Sequence, residues 1–353
     1  MLLTSPRAFT TMTAGAIIYD PTYRNHNTGN HVESASRLDA VMQGIEESEH
    51  ARRVPILKPY KATVDQVKAN HDIRYIAGVR RLADAGGGWL DADTYCSPES
   101  YAVAMLAVGG TICAVDAVMA DINNAFALVR PPGHHAIRNK AMGFCIFNNV
   151  ACAAKYALAS HDLERILIVD WDVHHGNGTE AAFYDDSRVL YFSTHQRPFY
   201  PGTGDYDDVG TGDGEGFNVN VPLPAGVNND GYSYIFEELL APVATEFEPE
   251  LTFISAGQDI HYADPVGGMC VTADCFRKLV EHIKSFSPEG HVVAVLEGGY
   301  NLEALKNSTL AICGSLFDFP TSFAEAAVEP GISKNVRKRV DKVKETQGRY
   351  WDL

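Results

Sequence analysis

Short runs of branched apolar residues recur along the chain at about 15–20, 54–57, 125–129, 166–169, 189–193, 217–221, 251–255 and 292–296. Within most of them the apolar residues are continuous rather than alternating, which is how a parallel strand buried on both faces reads. Between the runs, apolar positions fall at helical spacing over about 35–47, 72–83, 148–160, 231–247 and 272–286, and Ser97-Pro98 opens a long helix through Ala120. The alternation predicts an α/β fold: one domain built on a mainly parallel, eight-stranded open sheet with helices on both faces. No repeat, low-complexity tract or composition shift marks a linker, so residues 1–353 are read as a single domain. A basic stretch from Lys334 to Lys344 reads as the solvated face of a C-terminal helical extension at about 330–353.

Composition changes this picture little, since 46% hydrophobic and 21% charged residues are ordinary for a globular protein. Charge changes it more. A formal charge of -16 argues against nonspecific nucleic-acid binding, because a phosphate backbone would be repelled. The same charge favours a cationic ligand, or simply keeps the protein soluble. No apolar run is read as long enough to cross a bilayer, and the first twenty residues lack the regions of a secretory signal, so no membrane partner and a cytoplasmic location are expected. Seven cysteines (Cys96, Cys113, Cys145, Cys152, Cys270, Cys275, Cys313) show no C-x-x-C and are read as free thiols in a reducing compartment.

Candidate chemistry begins where strands end. The run Ile166-Leu-Ile-Val stops at Asp170, followed by Trp-Asp-Val-His-His-Gly-Asn-Gly. If the backbone stays extended, Asp170, Asp172 and His174 point the same way and offer two carboxylates and an imidazole to a divalent metal. For Asp172 and His174 alone, a strand-end cap or ion pair is the plainer reading. Other runs also finish in metal-capable or proton-transferring residues: His134-His135 after Val129, Ser193-Thr194-His195 after Phe192, Asp259 to Asp264 after Ile254, and Glu297-Gly-Gly-Tyr300 after Leu296. Five such endings suggest one shared site at the carboxyl edge of the sheet, where open α/β sheets bind ligands. The polar loop Pro21 to Ser34, with His26 and His31, is too long to be mere connection.

The motifs Arg130-Pro-Pro-Gly-His-His, Gly143-Phe-Cys-Ile-Phe-Asn-Asn149, Asp170-Trp-Asp-Val-His-His-Gly-Asn-Gly, Tyr200-Pro-Gly-Thr-Gly204, Asp264-Pro265 and Glu297-Gly-Gly-Tyr300 resemble, in order and approximate spacing, the histone deacetylase and acetylpolyamine amidohydrolase superfamily. The resemblance covers about 15–315, and its spelling is more like the class II and bacterial branches than class I. It implies the arginase/deacetylase-like fold and a Zn2+ ion held by Asp172, His174 and Asp264 with one open position. Two oxygens and one nitrogen do not by themselves exclude Fe(II) or Co(II). It further implies a tandem pair, His134 and His135, oriented by Asp170 and Asn177, with Tyr300 donating to the carbonyl oxygen under attack.

By the same resemblance, K+ is held by Asp170, Asp172, the His174 carbonyl, Ser193 and Thr194, and a second monovalent cation by carbonyls of Phe183, Asp186, Val189 and Phe217. Gly143, Phe144 and Tyr200 match the acyl-lysine channel, Tyr200 standing where the family usually has Phe, and Asp93 matches a rim residue that accepts hydrogen bonds from substrate backbone. Val266 stands where polyamine-specific members carry a Glu for a second ammonium group. Gln258 and His261 depart from the family pattern, and His261 is read as a loop histidine near the mouth. The expected function is zinc-dependent removal of acyl groups from lysine side chains of a protein or peptide. An acetylpolyamine or small-molecule deacetylase, and a noncatalytic acyl-lysine binding module, are the alternatives.

Overall fold

Branched runs with no polar face must be covered on both sides, and the computed structural model, which describes residues 15–287 and 291–353, satisfies this with one sheet between two helical layers. Residues 1–14, part of the stretch read for a secretory signal, lie outside the described residues. The strands are β1 (Ala16–Ile18), β2 (Ile56–Leu57), β3 (Gly88–Trp89), β4 (Tyr95–Cys96), β5 (Asn124–Ala127), β6 (Ile166–Asp170), β7 (Val189–Gln196), β8 (Asn218–Leu223), β9 (Leu251–Ala256) and β10 (Val292–Leu296). Eight form a single sheet in the order β2-β1-β5-β10-β9-β6-β7-β8, every pairing parallel. All carboxyl ends therefore face one edge. The remaining two, β3 and β4, form an antiparallel hairpin that periodicity did not reveal, because each is only two residues long.

Helices Ser100–Val118 and Asn149–Ser160 pack together on one side, and Ser36–Glu47, Ala273–Ser285 and Leu302–Leu316 form the other group. The helix Ser100–Val118, at 19 residues and mean hydropathy 1.8, is long and apolar enough to span a bilayer by composition, contrary to the sequence reading. Here it is the helix that lies against β1, β5 and β10, and the sheet supplies its apolar surroundings. The helix expected over 231–247 is interrupted: Asn229–Ile235 and Ala241–Phe247 flank a π-turn at Phe236–Leu240. Pro242 has no N–H for the regular ladder at that point.

The C-terminal helix Lys334–Gln347 turns its basic residues outward and buries Val336, Val340, Val343 and Gln347. Gln347 Nε2 donates to Asn218 O at 2.8 Å and Trp351 Nε1 to Gly216 O at 2.8 Å, so this extension covers the β8 edge of the sheet. All seven cysteines are free, with Cys113 and Cys270 half-buried and the others buried.

Candidate active site

The loop after β5 is held before it reaches the site. Arg130, fully buried, donates from Nε to Glu33 Oε1 at 2.6 Å and from Nη1 to His26 O at 2.6 Å. The backbone N–H groups of Gly133 and His134 then donate to Glu297 Oε2, at 2.6 and 3.2 Å, tying this loop to the end of β10. The two histidines leave it together, their ring centroids 4.0 Å apart. His134 Nδ1 lies 3.1 Å from Asp170 Oδ2, and His135 Nδ1 lies 2.9 Å from Asn177 Oδ1, the partners expected from the sequence. Asp170 is the last residue of β6, and Asn177 opens the helix Asn177–Phe183.

The strand does not continue past Asp170 as the extended reading assumed. The chain bends, Asp170 Oδ1 accepts the Asp172 N–H at 3.1 Å, and Asp172 is directed with His174 toward a third group. That group is Asp259, not Asp264. His174 Nδ1 lies 3.1 Å from Asp172 Oδ1 and 3.3 Å from Asp259 Oδ2. One ligand atom from each of the three buried residues lies within 4.8 Å of the others. Asp264 is engaged elsewhere: its Oδ2 accepts the N–H groups of Tyr300 at 2.6 Å and Asn301 at 3.0 Å, and its Oδ1 accepts that of Val266 at 3.0 Å. Its place in the ligand set, expected from the sequence, is thus taken by a residue only three positions beyond β9.

The donor set fits a divalent cation. Asp259 Oδ2 is buried with no hydrogen-bond partner among the described residues, and two carboxyls face one imidazole with no lysine or arginine paired to them. Space is kept by glycine: a Cβ at Gly257 would overlap Asp172 Oδ2, and one at Gly298 would overlap Asp259 Oδ2. Burial and the neighbouring Asp172 charge push the Asp259 carboxyl well above the usual carboxylate range. Burial acts the same way on Asp172, but the His134 and His174 imidazoles more than offset it and hold that carboxyl far below its usual range. Burial lowers both imidazoles, yet Asp172 and Asp170 raise His134 to about 10, and Asp172 and Asp259 raise His174 to about 9. His135 goes the other way, since burial, His134 and His174 all disfavour its charged form.

Tyr300 is brought to the site by three holds. Asp264 accepts its N–H; Arg37, fully buried, donates from Nε to Gly299 O at 2.7 Å and from Nη2 to Glu297 O; and the Arg37 guanidinium lies over the Tyr300 ring, 5.0 Å from its centroid. Gly299 has φ of +115°, a conformation a side chain would strain, and a Cβ there would come 2.9 Å from Gln258 Cβ. Burial, with the nearby Asp259 and Asp172, raises the Tyr300 phenol well above its usual range, so the hydroxyl remains a donor.

Aromatic rings surround these groups. Phe144 meets Tyr300 edge-on at 5.9 Å, Tyr200 meets His135 edge-on at 5.2 Å, and Phe199 stacks on His174 at 5.2 Å. The N-terminal polar loop closes one side, His31 meeting Phe144 at 4.6 Å. Asp93 Oδ1 accepts the Gly143 N–H at 3.1 Å, and Val266 is half-buried on the loop after β9. Of the proposed potassium oxygens, Ser193 Oγ is bonded to His195 Nδ1 at 2.9 Å, and Thr194 Oγ1 is buried without a partner among the described residues. In the second set, the carbonyls of Phe183, Asp186 and Phe217 each accept one backbone N–H, from Asp186, Val189 and Tyr191. Arg37 and Phe199 were not identified from sequence, and Asp259 was noted only as the start of the metal-capable stretch Asp259 to Asp264, not as a ligand. Only Asp259 had a local signal, its closeness to the end of β9, as Asp172 is close to the end of β6.

A family model described as "Histone deacetylase domain" matches residues 31–316. A "Probable deacetylase" of Archaeoglobus fulgidus is 37% identical, over 96% of this chain and 99% of that one. The "Polyamine deacetylase HDAC10" of Danio rerio is 38% identical over 91% of this chain and 49% of that protein. The crystal structure of the HDA15 HD domain is similar with a TM-score of 0.90 and 32% identity, covering 96% of each chain. With the model spanning most of the sheet and its loops, and relatives at this identity over nearly the full length, the chain belongs to the histone deacetylase family.

Proposed function

We propose that this chain is a zinc-dependent deacylase acting on acylated lysine side chains. The observation that carries the reading is the His135–Asn177 pair, 2.9 Å apart, set beside the Asp172, His174 and Asp259 cluster. A zinc ion held by these three residues would supply Lewis acidity, making water a better nucleophile and the amide carbonyl a better electrophile. With Nδ1–H donated to Asn177 Oδ1, His135 keeps a free Nε2 lone pair. Burial keeps it neutral, so it accepts the proton of the attacking water and passes it to the departing amine. His134, held in its charged form by Asp172 and Asp170, supplies positive potential beside it. Tyr300 donates to the oxygen that becomes negative. The products are the carboxylate and the free amine.

Phe144 and Tyr200 suit an extended, uncharged methylene chain between them, and Val266 offers no charge to a distal ammonium. This favours acyl-lysine over an acetylated polyamine. K+ at Asp170, Asp172, His174, Ser193 and Thr194 belongs to the same proposal and rests on the resemblance of these positions to the family pattern. The test is kcat/KM of zinc-loaded protein on matched acetyl-, longer-acyl- and trifluoroacetyl-lysine peptides and on N-acetylspermidine. Lysine peptides are expected to turn over best. Faster turnover of acetylspermidine would reverse the reading of Val266, and peptide binding without turnover would make the protein an acyl-lysine binding module.

A further inference from the structure

His261, unexplained by any role in the reaction, lies between the two carboxylates of the loop that follows β9. Its backbone joins them: His261 N donates to Gln258 O at 3.1 Å, next to Asp259, and His261 O accepts the Asp264 N–H at 2.9 Å. Its side chain is almost fully buried, 2% exposed, and its tautomer is set by its neighbours. Nδ1 accepts the Ala263 N–H at 3.2 Å, so the proton sits on Nε2, which donates to Glu325 Oε1 at 3.1 Å.

Glu325 belongs to an irregular strap, residues 318–333, that runs from the helix Leu302–Leu316 to the helix Lys334–Gln347. Its second oxygen, Oε2, accepts the N–H of Ala273 at 2.8 Å, the first residue of the helix Ala273–Ser285. That helix gets no side-chain cap from its own Thr272, so the strap supplies one. One carboxylate thus fastens two things at once, the helix start and the turn that carries Asp259 and Asp264. Other ties of the strap lie at its start, where Lys284 Nζ donates to Asp318 Oδ1 at 2.6 Å, and farther along, where Asn228 Nδ2 donates to Glu329 O at 2.6 Å and Gly331 N donates to Asp230 Oδ2 at 2.6 Å. They do not touch the β9 loop.

We propose that Glu325 is a positioning residue for the metal centre: through His261 it fixes the turn that presents Asp259 to the metal and Asp264 to the Tyr300 backbone. The inference rests on the ligand set given above. Groups behind metal ligands typically alter affinity by 10- to 100-fold when removed, because a ligand free to swivel must be ordered when the ion binds. The effect reaches Tyr300 by a second route, since Asp264 loses its place in the same turn.

The experiment measures the dissociation constant for Zn2+ by competition with a chromogenic chelator, without substrate, on the full chain, with thermal midpoints in parallel. Glu325→Ala is expected to weaken Zn2+ binding roughly tenfold. Glu325→Gln keeps an oxygen for His261 Nε2–H and is expected to recover most of that loss. His261→Ala is expected to weaken binding about as much as Glu325→Ala, and the double variant no more than either. Unchanged Zn2+ affinity in Glu325→Ala, with only a lower thermal midpoint, would reduce the strap to a stability element and overturn the proposal, as would additive losses in the double variant. If the unaltered chain itself fails to bind Zn2+, the ligand set falls and this inference with it. Normal binding by the unaltered chain and by both single variants sinks this inference alone.

Discussion

Asp264 Oδ2 accepts the backbone N–H of Tyr300 at 2.6 Å, so the carboxylate expected to hold a metal instead holds the residue expected to polarise the substrate. Asp259, five residues earlier, faces His174 at 3.3 Å. The two aspartates should therefore fail differently. Asp259→Ala is expected to lose bound zinc, while Asp264→Ala keeps it and loses roughly 10- to 100-fold in kcat as the Tyr300 turn loosens. Metal content by elemental analysis, beside kcat, separates the two; zinc loss in Asp264→Ala with retention in Asp259→Ala would reverse the assignment.

The Tyr300 phenol is kept protonated by burial and by the nearby carboxylates. Tyr300→Phe is expected to lower kcat about 100- to 1,000-fold with little change in KM, the usual cost of removing one donor to a developing oxyanion. A variant that raised KM and left kcat intact would make Tyr300 a wall of the channel only.

Val266 lies on the turn whose backbone N–H donates to Asp264 Oδ1 at 3.0 Å, so a longer side chain there changes the mouth and leaves the ligand set in place. Val266→Glu is expected to raise kcat/KM for N-acetylspermidine relative to an acetyl-lysine peptide, on the order of tenfold for one charge-assisted hydrogen bond. An unchanged ratio would show that selectivity is decided elsewhere on the rim.

Two buried histidines make the fold acid-sensitive. His71 accepts the Asn148 N–H on Nε2 at 2.9 Å and donates from Nδ1 to Ile137 O at 3.0 Å, an arrangement available only to the neutral ring. Burial lowers His71 to about 4, and burial likewise lowers His26 to about 4 despite Glu33 nearby. Between their unfolded value, roughly 6.5, and about 4, the unfolded chain binds more protons than the folded one. Stability contributed by keeping these rings neutral is complete above that window and is lost as pH falls through it. Glu33 adds a later loss: burial raises it, but Arg130, His26 and Arg37 bring it down to about 2, so its contribution is complete above the unfolded value of 4.5 and is lost as pH falls from there to about 2. The urea midpoint is expected to fall steadily from pH 6.5 to 4, and to fall less in His71→Gln. Burial raises the Asp259 and Glu297 carboxyls to about 7, which acts in the opposite direction over the same interval, so the decisive reading is the difference between variants: an equal fall in His71→Gln and in the unaltered chain would contradict the buried neutral assignment.

The sheet, most of its helices and the clustering of chemistry at one edge were legible along the chain. Each rests on a local property: the short branched run Ile166 to Val169 reads as an inner strand, and Asp172 and His174 after it gain meaning because four other runs also end in metal-capable or proton-transferring residues. The apolar stripe of the C-terminal helix was hidden behind its charges, although its basic face was read correctly. What depended on distant partners was not legible. Arg37 reaches Gly299 across 262 positions, and nothing in its own helix distinguishes it from a surface arginine. Whether Asp259 or Asp264 meets His174 is decided by the β6–β9 pairing and by the turn that His261 and Glu325 hold, since both carboxylates follow the same strand. Local pattern determined which residue types stand at the edge of the sheet; only the packing of the loops against one another decided which carboxylate joins the His174 cluster and which holds backbone, because that choice is made by contacts that span from 36 positions, between Asp264 and Tyr300, to 86, between Asp259 and Val173.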